Sequence, residues 1–273
     1  MFFLPLFDEN PSKNKPVITW VIIISCMVVF LYQLSLPQSF EYKFIYSYSF
    51  IPIYLSNFNS DNYIAPFNPF LTLITSCFLH AGWMHLIGNM LYLWIFGDNV
   101  EDSMGKLRFV LFYLLCAVSG SLLQYYSNPY SEIPIIGASG AIAGVLGSYL
   151  ILYPKANIKV FIWIIIFIRT VNVPAWIVLS IWILGQFFSL SHEISSNGGG
   201  VAYFAHIGGF IAGLLLTPIM KNKDVSLFND QLSSPWQVSK ANKSDLKYTF
   251  THNRGSSLPV FKKSKGSLPN FKR

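Results

Sequence analysis

The chain has 273 residues, of which 53% are hydrophobic and only 11% are charged. Soluble domains carry about 25% charged residues, so this composition excludes an ordinary soluble protein and indicates a polytopic membrane protein. The formal net charge of +7 comes from the C-terminal tail: from Lys221 onward there are eleven Lys/Arg against three Asp/Glu, whereas the rest of the chain has eight against nine. The core has no excess of basic residues, and no nucleic-acid partner is expected.

Residues 1–16 contain no cleavable signal pattern and are predicted to form a short cytoplasmic head. Six apolar segments follow, each long enough to cross the hydrocarbon within a helix bundle. They are residues 17–34, 83–96, 109–126, 139–153, 175–190 and 201–220. We therefore predict an all-α membrane protein whose residues 17–220 form a six-helix bundle with a long first outer loop.

The Lys and Arg residues between the spans predict the orientation of the bundle. They precede the first span, separate the second from the third and the fourth from the fifth, and follow the sixth. They are Lys13, Lys15, Lys106, Arg108, Lys155, Lys159, Arg169, Lys221 and Lys223. Six spans place all these segments on one side of the membrane. Because basic flanks stay in the cytoplasm, both termini are predicted to be cytoplasmic.

The segments outside the spans differ in composition. The first outer loop, about residues 36–79, is rich in aromatic residues, which suits the lipid headgroup region. The apolar stretch 160–168 is too short to cross and is predicted to lie at the interface or to pack under the bundle. The tail, residues 221–273, is polar and basic and is predicted to be disordered. Its two SLPxFK repeats, at Ser257 and Ser267, are either a docking motif or anionic-lipid patch, or an unselected basic tail.

Ser139 is the first candidate for chemistry, in the stretch Gly137-Ala-Ser139-Gly140 at the start of the fourth span. The first turn of a helix has free backbone N–H groups and a positive dipole end, which together can stabilise an oxyanion beside a serine nucleophile. Gly137 allows a sharp backbone turn and close approach of a substrate. The alternative is a helix-capping serine with glycines that serve helix packing.

His206 is the second candidate and lies roughly 9 Å along the last span. His206, Gly209 and Gly213 share one helix face, as do Gly140, Gly144 and Gly147 on the fourth span; two glycine faces allow close helix approach. Ser139 and His206 are then expected at a similar depth near the outer side, within hydrogen-bond reach, as a general base requires. The alternative is a glycine packing motif with an incidental histidine.

His85 and Asn89 are four residues apart and share a helix face, from which both can donate hydrogen bonds to an oxyanion. A metal site is the alternative, but the acidic residue of the H-E-x-x-H pattern is missing, and no metal or cofactor is expected. His80 is expected to anchor the outer loop. No Asp or Glu lies in the outer half of the spans to orient His206, so a serine hydrolase here would use a Ser–His dyad.

These motifs resemble the rhomboid family of intramembrane serine proteases over about residues 71–220. The matching blocks are Phe78-Leu-His80 with His85 and Asn89, Gly137-x-Ser139-Gly140, and Ala205-His206-Ile-Gly-Gly. Weaker matches to the bacterial branch are Gly97-Asp-Asn-Val-Glu101 and Val173-Pro-Ala-Trp-Ile, followed by Trp182 and Gln186. The chain departs from many members at Leu71-Thr72, where they carry Trp-Arg, which puts the structural role of that loop in doubt.

The resemblance implies an intramembrane serine endopeptidase in a bacterial inner membrane, with an organelle membrane as the alternative location. Ser139 would be the nucleophile and His206 the general base. His85, Asn89 and the Ser139 N–H would bind the oxyanion, and Gly137 would keep the approach open. The substrates would be single-pass membrane proteins cut near the outer end of their spans. A catalytically silent relative that binds membrane proteins is the alternative. A channel or transporter is disfavoured because the ionisable residues do not form a path across the membrane.

Overall fold

The computed structural model describes residues 2–58, 60, 65–164, 167–196 and 202–229, so the predicted SLPxFK repeats lie outside the described residues. Within them are nine α-helices: α1 (Val17–Ser35), α2 (Gln38–Tyr48), α3 (Pro52–Ser56), α4 (Pro69–Thr75), α5 (Trp83–Met104), α6 (Lys106–Ser127), α7 (Ser139–Leu152), α8 (Ala175–Ser196) and α9 (Tyr203–Met220). A short 3-10 helix, Ser76–Phe78, follows α4.

The six predicted spans correspond to α1, α5, α6, α7, α8 and α9. Helices α1, α6 and α9 are long and apolar enough to cross a membrane. Pro69–Phe78 and α5 form a fourth candidate, bent by 85° between its two parts. Helix α7 and the Ala175–Ser189 part of α8 are apolar but shorter. These helices confirm the predicted helical membrane protein. Three short helices, α2 to α4, occupy the predicted outer loop.

Helix α7 is the central helix of the bundle. Every residue from Ala141 to Tyr149 is buried, as expected for a helix that is apolar all round. Its 14 residues extend only about 21 Å, less than the hydrocarbon thickness of about 30 Å. If its C-terminal end reaches one membrane surface, its first residue, Ser139, therefore lies below the other surface.

A three-stranded antiparallel sheet, which was not predicted from the sequence, lies next to the helices. Its order is β1 (Phe2–Asp8), β2 (Asn157–Ile164) and β3 (Phe167–Pro174), with Pro5 opposite Val160 and Ile158 opposite Val173. Ile158 and Val160 are completely buried, whereas Lys159 between them is partly exposed. This alternation, in a segment rich in β-branched residues, explains a strand. Ile158 and Val160 belong to the hydrophobic core that the helices form, so this part of the strand packs against the bundle.

One carboxylate of α5, that of Glu101, caps the N-terminus of α1. Pro16 at the N-cap has no side chain that could accept a hydrogen bond. Instead, Glu101 accepts from the backbone N–H of Ile18 at 3.0 Å and of Thr19 at 2.8 Å. Carboxylates at this position satisfy free N–H groups and complement the positive helix end. The N-terminal segment is thus fixed to the bundle by polar contacts as well as by the sheet.

Asp8 at the end of β1 connects the sheet to two helices. Its Oδ2 accepts hydrogen bonds from the Tyr149 hydroxyl at 2.6 Å and from Asn99 Nδ2 at 3.0 Å. Burial raises the pKa of Asp8 to about 7, a rise that the bond from Tyr149 opposes and the nearby Asp98 carboxylate increases. The neutral acid is therefore the form that the fold stabilises.

We expect the stability of the protein to depend on Asp8 between about pH 4 and pH 7. The folded pKa lies above the unfolded value of about 3.9, so the carboxyl contributes stability at acidic pH that is lost as pH rises through this window. Asp8→Asn retains an acceptor but cannot ionise. Wild type, but not the variant, should lose about 2 kcal/mol of unfolding free energy between about pH 5 and pH 8. Thermal unfolding in detergent measures this, with the exposed Asp224→Asn as control; equal pH dependence of wild type and Asp8→Asn would contradict the prediction.

Candidate active site

Helices α7 and α9 bring Ser139 and His206 together. Ser139 is the first residue of α7, and His206 lies in the first turns of α9. The two helices approach closely along their glycine faces: a Cβ added to Gly209 would overlap the carbonyl oxygen of Gly140. Ser139 Oγ lies 2.7 Å from His206 Nε2, which is a strong hydrogen bond. This is the geometry in which an imidazole can take the proton of a serine hydroxyl.

His206 is enclosed by three side chains besides Ser139. It is only 8% exposed. The ring centroid of Trp182 lies 5.9 Å from that of His206, and Tyr203 presents its ring edge-on at 6.3 Å. Gln186 Oε1 lies 2.6 Å from His206 Nδ1. Both ring nitrogens are thus hydrogen-bonded, so the imidazole is held in one orientation.

The contact between Gln186 and His206 was not predicted. The predicted outer halves of the spans contain no Asp or Glu that could orient the histidine. The available signal was a single amide side chain inside an apolar helix, a costly residue that needs a partner. Gln186 and His206 are 20 residues apart and lie on different helices, so no short sequence spacing could predict that they are in contact.

His85 and Asn89 lie on α5 beside Gly137. His85 Nδ1 accepts a hydrogen bond from the Ala81 N–H at 3.4 Å, which leaves the proton of a neutral ring on Nε2. A Cβ at Gly137 would lie 2.6 Å from this Nε2. The Asn89 Nδ2 is buried and has no hydrogen-bond partner among the described residues. Two N–H donors therefore point into the space above Gly137, next to Ser139.

Gly137 meets two requirements that only glycine satisfies. Its φ of +118° is in the region that side-chain-bearing residues rarely adopt. Because Gly137 has no Cβ, the His85 ring can occupy the space beside it that a Cβ would fill. The backbone N–H of Gly137 donates to the Ser76 carbonyl at 2.9 Å, which holds the turn in place. The turn thus sets the position of the adjoining N-terminus of α7.

A cavity of about 960 Å³ contains these groups. Its lining comes from α5, α6, α7, α8, α9 and the segment that precedes α7, and includes Met84, Asn89, Tyr92, Gln124, Gly137, Ser139, Gln186 and His206. The volume is sufficient for an extended segment of polypeptide together with water. Acyl transfer needs a hydroxyl, a base and N–H donors around one space, and side chains of these three chemical types line this cavity.

His80 lies at the base of the outer loop, as expected. Its backbone N–H and C=O are both bonded by the side chain of Gln33, at 3.2 and 3.1 Å. Its ring is buried next to that of His85, with centroids 5.2 Å apart. Across the part of the chain that the structure describes, no three His, Cys, Asp or Glu side chains form a group that could hold a metal ion.

The fold and the site together define a helical membrane protein with a serine–histidine pair enclosed among its helices. Residues 68–223 match the Rhomboid domain, so the chain belongs to the rhomboid family. It is 36% identical over 162 residues to Rhomboid protease GluP of Bacillus subtilis, covering 59% of this chain and 28% of that protein. It is 32% identical over 156 residues to Rhomboid protein 1, mitochondrial, of Saccharomyces cerevisiae; the aligned residues are 53% of this chain and 40% of that protein.

A third relative is Rhomboid-like protease 5 of Toxoplasma gondii, 31% identical over 158 residues, which are 56% of this chain and 16% of that protein. The chain thus spans less than half the length of these three relatives. The Rhomboid-domain match, residues 68–223, includes both Ser139 and His206. Family membership and the apolar helices together establish a multi-pass integral membrane protein.

Proposed function

We propose that the chain is an intramembrane serine endopeptidase with Ser139 as nucleophile and His206 as general base. The observation that carries the proposal is the 2.7 Å hydrogen bond between Ser139 Oγ and His206 Nε2, enclosed in a cavity among membrane helices. The names of the relatives support it, since two of the three are called proteases.

The reaction follows the chemistry of acyl transfer. Ser139 Oγ attacks the carbonyl carbon of the scissile peptide bond while its proton moves to His206 Nε2. The resulting oxyanion accepts hydrogen bonds from His85 Nε2, Asn89 Nδ2 and the Ser139 backbone N–H. The tetrahedral intermediate then collapses, the C–N bond breaks, and the imidazolium returns the proton to the leaving amine. Water, deprotonated by His206, hydrolyses the acyl-enzyme and regenerates the serine.

The substrates we propose are single-pass transmembrane proteins, cut near the outer end of their spans. Helix α7 is shorter than the hydrocarbon thickness, so Ser139 is reached from within the membrane depth but near one surface. A helical substrate has its carbonyls bonded internally, so it must unwind locally before the serine can attack. We also infer that both termini lie in the cytoplasm, because the segments rich in Lys and Arg are predicted to fall on one side of the membrane. The inference of a bacterial inner membrane rests on the resemblance to the bacterial branch of the family.

Purified protein in liposomes, given a fluorogenic transmembrane peptide with small residues near one end of its span, tests the proposal. We expect cleavage near that end, with the cut position read by mass spectrometry, and covalent labelling of Ser139 by a fluorophosphonate. A silent relative would neither cleave nor become labelled at Ser139. Labelling without cleavage would support the serine chemistry and reject this peptide as a substrate.

Asn89→Ala is expected to lower kcat by about 10²–10³-fold, because it removes one oxyanion donor. KM should change little, since the oxyanion exists only in the transition state. Steady-state cleavage of the same peptide measures both constants. Ile87→Ala, two residues earlier on the same helix and 53% exposed, is the control and should behave as wild type. An unchanged kcat in Asn89→Ala would remove Asn89 from the proposed mechanism.

A further inference from the structure

Gln186 is a neutral polar side chain whose two amide ends are both bonded. Its Nε2 donates to the carbonyl oxygen of Trp182, one turn earlier in α8, at 3.3 Å. A carbonyl oxygen can only accept, so the NH₂ end of the amide must face Trp182. The oxygen end therefore faces His206, where Oε1 lies 2.6 Å from Nδ1.

This orientation determines which nitrogen of His206 carries the proton. An amide oxygen has no hydrogen to donate, so the bond at 2.6 Å requires a proton on Nδ1. A neutral imidazole has only one such proton, and Nε2 is then a lone pair directed at Ser139 Oγ. The opposite tautomer would place two lone pairs against each other at Nδ1 and would present Nε2–H to the serine. In that form the ring cannot accept the serine proton.

We propose that Gln186 is a positioning residue that selects the Nδ1-protonated tautomer of His206 and so keeps Nε2 available as the base. The inference rests on the proposed protease function. In Ser–His–Asp enzymes a carboxylate holds the histidine in this way. None of the described residues lining the cavity is an Asp or Glu. A neutral amide can meet the same geometric requirement without placing an unpaired charge in an apolar site.

The neutral amide and a carboxylate differ in one measurable respect. Both accept the Nδ1 proton and select the same tautomer, but only a carboxylate favours the positively charged imidazolium. Gln186→Glu should therefore still cleave at high pH. As the solution is acidified, the variant should lose activity at a higher pH than wild type does, because its histidine becomes protonated earlier. A residue with a purely structural role would not produce such a displacement of the pH profile.

The kinetic test compares Gln186→Leu, Gln186→Glu and the control Leu184→Ala in liposomes with the fluorogenic peptide. Leu184 lies on the same helix and is 53% exposed. We expect Gln186→Leu to lower kcat by about 10-fold, the loss that one neutral hydrogen bond represents, with KM unchanged. Gln186→Glu should restore most of kcat and move the acidic limb of the kcat profile to higher pH. Leu184→Ala should match wild type. Wild-type kcat in Gln186→Leu would overturn the inference.

Nitrogen-15 NMR of histidine-labelled protein in bilayers tests the tautomer without turnover. The His206 signals are assigned by their loss in His206→Ala. Wild type should show a protonated Nδ1 and an unprotonated Nε2, whereas Gln186→Leu should show a mixture of tautomers. A protonated Nε2 in wild type would overturn the inference. If cleavage instead proves independent of Ser139, the proposed function fails, while these spectra still decide the role of Gln186.

Discussion

Ser139→Ala is expected to abolish cleavage, with kcat lower by at least about 10⁴-fold. The reason is that the Oγ removed is the atom that forms the acyl-enzyme in the proposed mechanism, and the described cavity lining offers no second serine beside His206 Nε2. His206→Ala should lose as much, since a serine without a base is a weak nucleophile. The double variant should be no slower than either single one, because the two residues act as a unit.

Ser148→Ala is the matched control for this experiment. It removes the same hydroxyl from the same helix, α7, at a position that is completely buried. Its Oγ has no hydrogen-bond partner in the described parts of the chain, so its loss should leave both folding and kcat near wild type. Thermal unfolding of wild type and of the four variants shows whether loss of activity reflects lost chemistry or lost folding. Cleavage that persists in folded Ser139→Ala would refute the proposed nucleophile.

Gly209→Ala is expected to destabilise the bundle and to reduce activity with it. A Cβ at Gly209 would overlap the Gly140 carbonyl, and a Cβ at Gly213 would overlap that of Gly144. The atoms met are backbone, which cannot rotate away, so α7 and α9 must separate. Overpacking of this kind costs about 1–3 kcal/mol or more. The same displacement would lengthen the bond between Ser139 and His206, so kcat should fall in the protein that still folds.

Gly185→Ala is the control for Gly209→Ala. A Cβ at Gly185 would meet nothing within 4 Å. Alanine is favoured over glycine in helices by about 1 kcal/mol, so this variant should be as stable as wild type or slightly more so. Unfolding of the three proteins by heat or by a denaturing detergent measures the difference. Equal stability of Gly209→Ala and Gly185→Ala would show that the close approach of α7 and α9 is not required.

The sequence by itself determined the parts that depend on composition and short spacing. The apolar runs gave the six helices of the bundle, because burial in lipid requires long apolar segments. The small-residue spacing of Gly140, Gly144, Gly209 and Gly213 predicted two faces that could approach closely, as the backbone overlaps now explain. The motifs around Ser139 and His206 predicted the family, to which the chain belongs.

Only the tertiary structure decided which distant groups meet. Gln186 and His206 are 20 residues apart on different helices, and their contact depends on how α8 packs. Asp8 and Tyr149 are separated by 141 residues and meet through the sheet. The pairing of β1 with β2 likewise joins the N-terminus to a segment more than 150 residues later. Such contacts carry no local signal, since a hydrogen bond depends on distance and direction in space and leaves no periodicity in the chain.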